Sequence, residues 1–365
     1  MKIAFDHQIF SSQRYGGISR YFVELCLSLL DISSSTSTQI VAPLFVNNYL
    51  QQSRKCINHY GLHCPSFRGS HLFYSVLNRY LSHFPLACYN PDIVHSTYYS
   101  LPSQSSKRYK KVLTVYDMIH EIYPALFAST DRTSIIKRKA VESSDHIICI
   151  SQSTKNDLIH YFNVDPSKVS VVYLGVRNNP SEVAAYKHGR PYLLYVGSRY
   201  GYKNFKKFLQ AYCASNFLRS HYDVICFGGG SFSFTEQKFF HSIQLSLRNL
   251  HNIQGSDCLL KSLYLGASCL VYPSLYEGFG IPPLEAMHYG CPVICSNSSS
   301  LPEVVGSSAI LFNPQSTLSI KSSTESTLLQ PSLVDDIISS GKDHSQSFSW
   351  QKCARHTLDI YSSLL

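Results

Sequence analysis

The chain has 365 residues, a formal net charge of +9 and an apolar fraction of 44%. That length suggests two domains with sizeable cores, and the charge favours anionic partners such as a nucleotide or an acidic membrane face. No run of about 20 apolar residues is present, so no transmembrane helix is expected; no nucleic-acid-binding motif accompanies the charge, which argues against DNA or RNA. The start, Met1-Lys2-Ile3-Ala4-Phe5-Asp6-His7, meets an acid too early for a signal-peptide core, so a cytoplasmic protein is expected. The 12 cysteines form no C-x-x-C pair. Cys149, Cys226, Cys269 and Cys295 lie inside apolar runs, which fits buried free thiols rather than a metal site.

In chain order, Lys2 to Asp6 reads as a short buried strand and His7 to Tyr15 as a loop. Ile18, Tyr21, Phe22, Leu25 and Leu29 then recur at helical spacing, so Gly16-Gly17 opens a helix. That pair is either a tight turn or a backbone approach to an anion. Residues 38–95 are hard to divide. Within them His71 to Phe84 carries Leu72, Phe73, Val76, Leu77, Tyr80, Leu81 and Phe84 in an amphipathic pattern. It either packs on its own domain or lies on a membrane surface. Asp92 to Ser96 and Lys111 to Tyr116 read as strands, the second running into Asp117-Met118-Ile119-His120-Glu121. Asp131 to Ser143 reads as a basic helix with Arg132, Lys137, Arg138 and Lys139. His146 to Ile150 and Val169 to Leu174 complete the first half, with a helix ending near Phe162 between them.

Arg177 to Arg190 changes character and reads as a linker. Beyond it, strands are expected at Tyr192 to Gly197, Tyr222 to Phe227, His251 to Gln254, Ser268 to Pro273, Pro292 to Cys295 and Ala309 to Phe312. Helices are expected at Asn204 to Ala214, Thr235 to Arg248, Asp257 to Gly266 and Pro283 to Tyr289. The serine-rich patch Ser316 to Thr327 reads as a surface loop, and the tail from Ser332 as helical, Ser349-Trp350 opening the last helix. This alternation predicts an α/β chain of two doubly wound domains, each a parallel sheet with helices on both faces. The expected division is 1–176, a linker 177–190, 191–348, and a C-terminal helix 349–365 that crosses back to the first domain.

Ligands of such sheets gather beyond the carboxyl ends of the strands. There Tyr276-Glu277-Gly278-Phe279-Gly280-Ile281-Pro282-Pro283-Leu284-Glu285-Ala286 sets two carboxylates around a glycine-rich turn. Prolines fit the first turn of a helix, and Glu285 is expected to fall in that turn. The stretch is either a capped strand-to-helix turn or an anion site. Gly197-Ser198-Arg199 and Lys203 follow a strand in the same way, and paired cations there suit a diphosphate.

These motifs resemble the retaining nucleotide-sugar glycosyltransferases of family 4, which have the type B glycosyltransferase (GT-B) fold. PYLLYVGSRYGYKNF, SLYEGFGIPPLEAMHYGCPVICS and SLPEVVG stand in family order. FDHQIFSSQRYGGISRYFVEL, YDMIHEIYP and ISQSTKNDL look like the subgroup of bacterial mannosyltransferases of polysaccharide assembly. The resemblance implies that Glu285 holds the nucleotide ribose and Glu277 the donor-sugar hydroxyls. It implies that backbone N–H groups of Gly278, Phe279, Gly280 and Ile281 line sugar and phosphate. Arg199 and Lys203 would neutralise the leaving diphosphate; Gly16 and Gly17 would approach it from the first domain, and the base would lie near Gly228-Gly229-Gly230 and Ile253 to Ser256. No metal or other cofactor is implied, only a nucleotide-diphosphate sugar as donor substrate. Where the family often has T-x-H-D, this chain has Thr114-Val115-Tyr116-Asp117. Tyrosine for histidine puts sugar specificity in question; His120 and Asp117 are candidate substitutes, with structural roles equally open.

The expected activity is therefore retaining transfer of a hexose, mannose by the subgroup, to a saccharide or lipid-linked saccharide acceptor in surface polysaccharide synthesis, at the inner membrane face. A UDP-sugar donor, or a non-catalytic partner subunit, are the alternatives.

Overall fold

A computed structural model describes residues 1–101, 108–176 and 182–365. The chain forms two compact units, Met1–Gly175 with Ser349–Leu365, and Val176–Phe348.

The first unit holds a parallel sheet ordered β3-β2-β1-β4-β5-β6-β7, where β1 is Lys2–Phe5, β2 Ser37–Phe45, β3 His59–His63, β4 Ile93–Ser96, β5 Lys110–Val115, β6 His146–Cys149 and β7 Val169–Val171. Central strands such as β6 are buried along their whole length, as a parallel sheet covered on both faces requires. Sequence reading missed β2 and β3. Pro43 argues against a central strand, but it sits where the β2–β3 register shifts between Val41 and Leu44. A bulge there needs no ladder donor from proline. β3 is an edge strand with mostly outward residues, so it lacks an apolar run. The expected loop after β1 contains a short helix, Gln8–Ser12. The Gly17–Ile32 helix packs beside the last helix of the chain, Trp350–Ser363, whose Trp350, Cys353, Ala354, Thr357 and Tyr361 are buried.

The second unit holds a parallel sheet ordered β10-β9-β8-β11-β12-β13: β8 Tyr192–Val196, β9 Asp223–Phe227, β10 Leu250–Ile253, β11 Cys269–Tyr272, β12 Val293–Ser296 and β13 Ile310–Phe312. Its core sets Leu193 and Tyr195 against Phe205, Phe208, Leu209 and Tyr212 of the Phe205–Cys213 helix. The helix expected to reach Arg248 ends at Ser242, just before Gln244 takes a left-handed φ of 54°. The serine-rich patch read as a loop is instead a helix, Thr317–Leu328. Ser316 caps it, accepting from the Ser319 N–H, and Thr324 and Thr327 turn their hydroxyls back onto the carbonyls of Ile320 and Ser323, both at 2.7 Å. Those bonds satisfy the two hydroxyls that the helix buries.

Of the expected linker Arg177 to Arg190, residues 177–181 lie outside the described residues. Residues 182–190 pack on the second unit: Tyr186 N–H donates to Ser262 O at 2.8 Å, and Ser262 Oγ donates to Ala184 O.

Candidate functional site

At the carboxyl edge of the second sheet, β8 ends in Gly197, whose φ of +124° suits glycine. A 3₁₀ turn, Gly201–Lys203, follows. Asn204 closes it in a left-handed conformation, its amide donating to Pro273 O at 3.0 Å and Pro314 O at 2.9 Å. That clamp joins the turn to the loop after β11 and carries Lys203 to Glu277. Lys203 Nζ lies 2.6 Å from Glu277 Oε1 and 3.4 Å from the Tyr272 hydroxyl. Burial alone would lower the Lys203 ammonium, but the Glu277 carboxylate, with Tyr272 and Tyr202, holds it well above its ordinary value. A half-buried ammonium, held in its charged form by its neighbours, sits on a carboxylate at the ligand-facing edge.

The Glu277 loop is braced by serines that sequence reading passed over. Ser299 Oγ accepts from Glu277 N–H at 2.8 Å. Ser300 Oγ lies 2.8 Å from both Glu277 O and Phe279 O. Ser298 Oγ donates to Ser274 O at 3.3 Å. A run of serines reads as a polar loop, and only its position after β12 could have signalled the brace. Gly280 has φ +107°, and a Cβ there would meet Leu301 Cδ2 at 2.7 Å.

The helix after this loop is Ile281–His288, so it starts earlier than expected and Glu285 lies one turn in, beyond the first turn. The prolines explain the early start, since the first four N–H groups of a helix need no intrahelical acceptor. They also remove two of those N–H donors, which narrows the expected anion site to the N–H groups flanking the prolines. Glu285 Oε2 accepts from the Tyr264 hydroxyl at 3.3 Å.

Arg199 differs most from expectation. Its Nε donates to Glu236 Oε1 at 2.7 Å, and its other nitrogens to the carbonyls of Gly228, Gly229, Gly230 and Ser231 at 2.9–3.3 Å. The guanidinium also lies over the Phe232 ring. The cation expected to face a diphosphate is here the organiser of the loop after β9. A Cβ on Gly229 would meet its Nη1 at 2.7 Å. Ser198 takes part through its carbonyl, which accepts from the Tyr195 hydroxyl.

The first unit's candidates lie at the carboxyl edge of their own sheet. Gly16 and Gly17 begin the Gly17–Ile32 helix without a side-chain cap; Gly17 has open space where a Cβ would be, and Gly16 is extended. Asp117 Oδ1 accepts from Ile119 N–H at 3.1 Å, a turn-capping role. His120 stacks on Phe127 with ring centroids 3.9 Å apart, and its buried Nδ1 has no partner. With Glu121, Asp131, Arg138 and Tyr161 it lines a pocket of about 460 Å³. Tyr116 offers no free polar group: its hydroxyl donates to Thr97 O at 2.9 Å and its ring packs among Tyr21, Tyr98 and Tyr99. The expected basic helix, Thr133–Glu142, is less free than its composition suggests. Lys137 is fully buried, 2.7 Å from Glu121 Oε2.

Among the described residues one group has metal-ligand spacing: His188, Asp223 and His251. It lies near the amino ends of β9 and β10, away from Glu277. Burial alone would raise the Asp223 carboxyl, but bonds from His188, Asn249 and His251 and the Arg190 charge hold it below the usual range. With its oxygens accepting from all four side chains, Asp223 pins residues 182–190 to the sheet.

Residues 15–179 match the family model described as Glycosyltransferase Family 4, and residues 177–344 the model described as Glycosyl transferases group 1. O-antigen chain mannosyltransferase B of Escherichia coli is 27% identical over 310 residues, covering 80% of this chain and 79% of that protein. O-antigen chain mannosyltransferase RfbU of Salmonella typhimurium is 30% identical over 227 residues, 62% of each chain. Anabaena HepE, solved in complex with UDP and glucose, superposes with a TM-score of 0.71 at 16% identity over 100% of both chains.

Proposed function

The chain belongs to the glycosyltransferases of the type B fold, joining a family 4 module to a group 1 module, and on that footing we propose that it transfers a mannosyl unit. The donor is a nucleotide-diphosphate mannose; the acceptor is a saccharide or lipid-linked saccharide in surface polysaccharide synthesis, met at the cytoplasmic face of a membrane. Support for mannose comes from the names of the two bacterial relatives. Support for the chemistry comes from one observation, the Lys203–Glu277 pair at 2.6 Å.

Breaking the bond between the anomeric carbon and the diphosphate leaves positive charge on the sugar and negative charge on the phosphate. Lys203, held protonated, answers the second, and a fixed cation in a partly buried site needs little reorganisation as the charge develops. Glu277, its backbone N–H held by Ser299 and its carboxylate by Lys203, holds sugar hydroxyls beside the positive centre. Glu285, one turn into its helix, takes the ribose hydroxyls. Configuration is retained: the acceptor oxygen attacks from the leaving-group face, and its proton passes to the departing phosphate oxygen. Neutralisation of the diphosphate is assigned to Lys203 and backbone N–H groups rather than to a bound metal.

Purified protein incubated with GDP-mannose and with UDP-glucose, UDP-galactose and UDP-N-acetylglucosamine tests this reading through release of nucleoside diphosphate. Release from GDP-mannose is expected. Release from a UDP-sugar alone changes the donor, and a protein that neither binds nor turns over any of the donors sinks the enzyme reading.

A further inference from the structure

In the first unit the helix Ser70–Leu81 presents most of its large apolar residues to the outside, and Phe84 of the next helix, His83–Tyr89, extends them while Pro85, Leu86 and Tyr89 of that helix face the core. The buried stripe of the first helix is Ser70, Tyr74 and Asn78, one turn apart and largely polar. Asn78 Nδ2 donates to Ser11 Oγ and Leu44 O, both at 2.8 Å, and its Oδ1 accepts from Leu44 N–H at 2.9 Å. Asn78 thereby stands in for a strand partner where β2 slips register. This docking forces Leu72, Phe73, Val76, Tyr80, Leu81 and Phe84 outward; Leu72 is 65%, Tyr80 72% and Phe84 73% exposed. A contiguous patch of large apolar side chains on a surface marks an interaction site.

The charge of this stretch of chain says what the patch meets. Residues 32–91 contain no Asp or Glu, yet hold Arg54, Lys55, Arg68 and Arg79. All four are exposed, as are His71 and His83. The other basic helix, Thr133–Glu142, is not a rival: Lys137 is buried on Glu121, and Arg138 donates to Tyr161 O and lies over the Phe162 ring.

We infer that this face docks on a lipid bilayer rich in anionic headgroups. Its aromatic and aliphatic side chains enter the boundary between headgroups and acyl chains, and Arg68 and Arg79 lie at headgroup level. The inference deepens the reading that the acceptor is lipid-linked, but it stands on the surface's own residues.

The full chain is sedimented with vesicles of phosphatidylcholine alone and with vesicles containing about one third phosphatidylglycerol. Binding to the anionic vesicles, weakened by salt, is expected. A Val76→Ser, Tyr80→Ser, Phe84→Ser variant should lose at least about tenfold in binding. Arg68→Gln with Arg79→Gln should weaken binding to anionic vesicles only. These positions are exposed, so thermal unfolding should not change. The inference is overturned if wild-type protein ignores both vesicles, or if the apolar triple variant binds as tightly. It is equally overturned if wild type is a dimer that the triple variant makes monomeric, which assigns the face to a second copy. Donor turnover is read in parallel. Vesicle binding without turnover of any donor counts against the transferase reading and leaves the docking surface standing; turnover without vesicle binding does the reverse.

Discussion

Lys203 and Arg199 both follow β8, yet they answer different groups. Lys203 sits on Glu277 at the ligand-facing edge, whereas Arg199 is enclosed by carbonyls and Glu236. Their substitutions should therefore fail differently. Lys203→Ala is expected to lower kcat/KM for donor turnover by about 10²–10³-fold, the loss typical of one preorganised charge-stabilising group, and to lower the thermal midpoint as well, because the buried Glu277 carboxylate loses its cation. Steady-state release of nucleoside diphosphate and an unfolding curve on the same sample check both halves; full activity in the variant removes Lys203 from the chemistry. Arg199→Ala removes the bonds to Glu236 Oε1 and to the 228–231 carbonyls, which water can partly replace because residues 229–231 are exposed, and should destabilise by about 1–3 kcal/mol. Arg199→Lys should recover little of that, because one ammonium cannot reproduce the fork that reaches Glu236 and the 228–231 carbonyls together. Denaturant unfolding decides it: near-wild-type stability in Arg199→Ala contradicts the loop-organising role. Residue types and spacing made both cations visible in the sequence. What separated them was the left-handed glycine loop folding around Arg199, a backbone conformation that no residue spacing encodes.

Elements were legible where burial and periodicity agree. Strands β8, β11 and β12 are buried throughout and read as apolar runs. The Ser70–Leu81 helix was legible as a helix, but its buried face was not, because that face is chosen by Asn78 filling a bulge. The glutamate pair of the site was legible, and the serines that hold it were not. The loop from Ser274 to Gly280 depends on Ser300, whose hydroxyl hydrogen is shared between Glu277 O and Phe279 O. Ser300→Ala should cost stability only about 1–2 kcal/mol. It should lower kcat by about tenfold or more, since a small displacement of a positioned group weakens its action steeply. Comparison of kcat with KM and with the unfolding midpoint tests this. A fall in stability without a fall in kcat would show that the brace serves folding alone.

The whole molecule takes its last helix from the far end of the chain. Trp350–Ser363 packs in the first unit, and Tyr361 reaches His95 on β4. His95 is fully buried, its Nδ1 beside the Tyr361 hydroxyl and its Nε2 2.8 Å from Thr114 Oγ1. Burial lowers its imidazole from 6.5 to about 3. Because the folded value lies below the unfolded one, the unfolded chain gains a proton as pH falls through 6.5 while the folded chain does not. Stability from this group is therefore complete above about pH 6.5 and declines by about 1.4 kcal/mol per pH unit below it, until the folded value is reached. His95→Gln can keep a donor and an acceptor without titrating. The variant is expected to be less stable than wild type at neutral pH, yet to lose about 2 kcal/mol less between about pH 6.5 and 5. Urea unfolding across that range measures the two slopes. Parallel slopes would mean that His95 takes up its proton in the folded chain as it does in the unfolded one, and that burial does not hold the tie between β4 and the final helix as a neutral hydrogen-bonded relay.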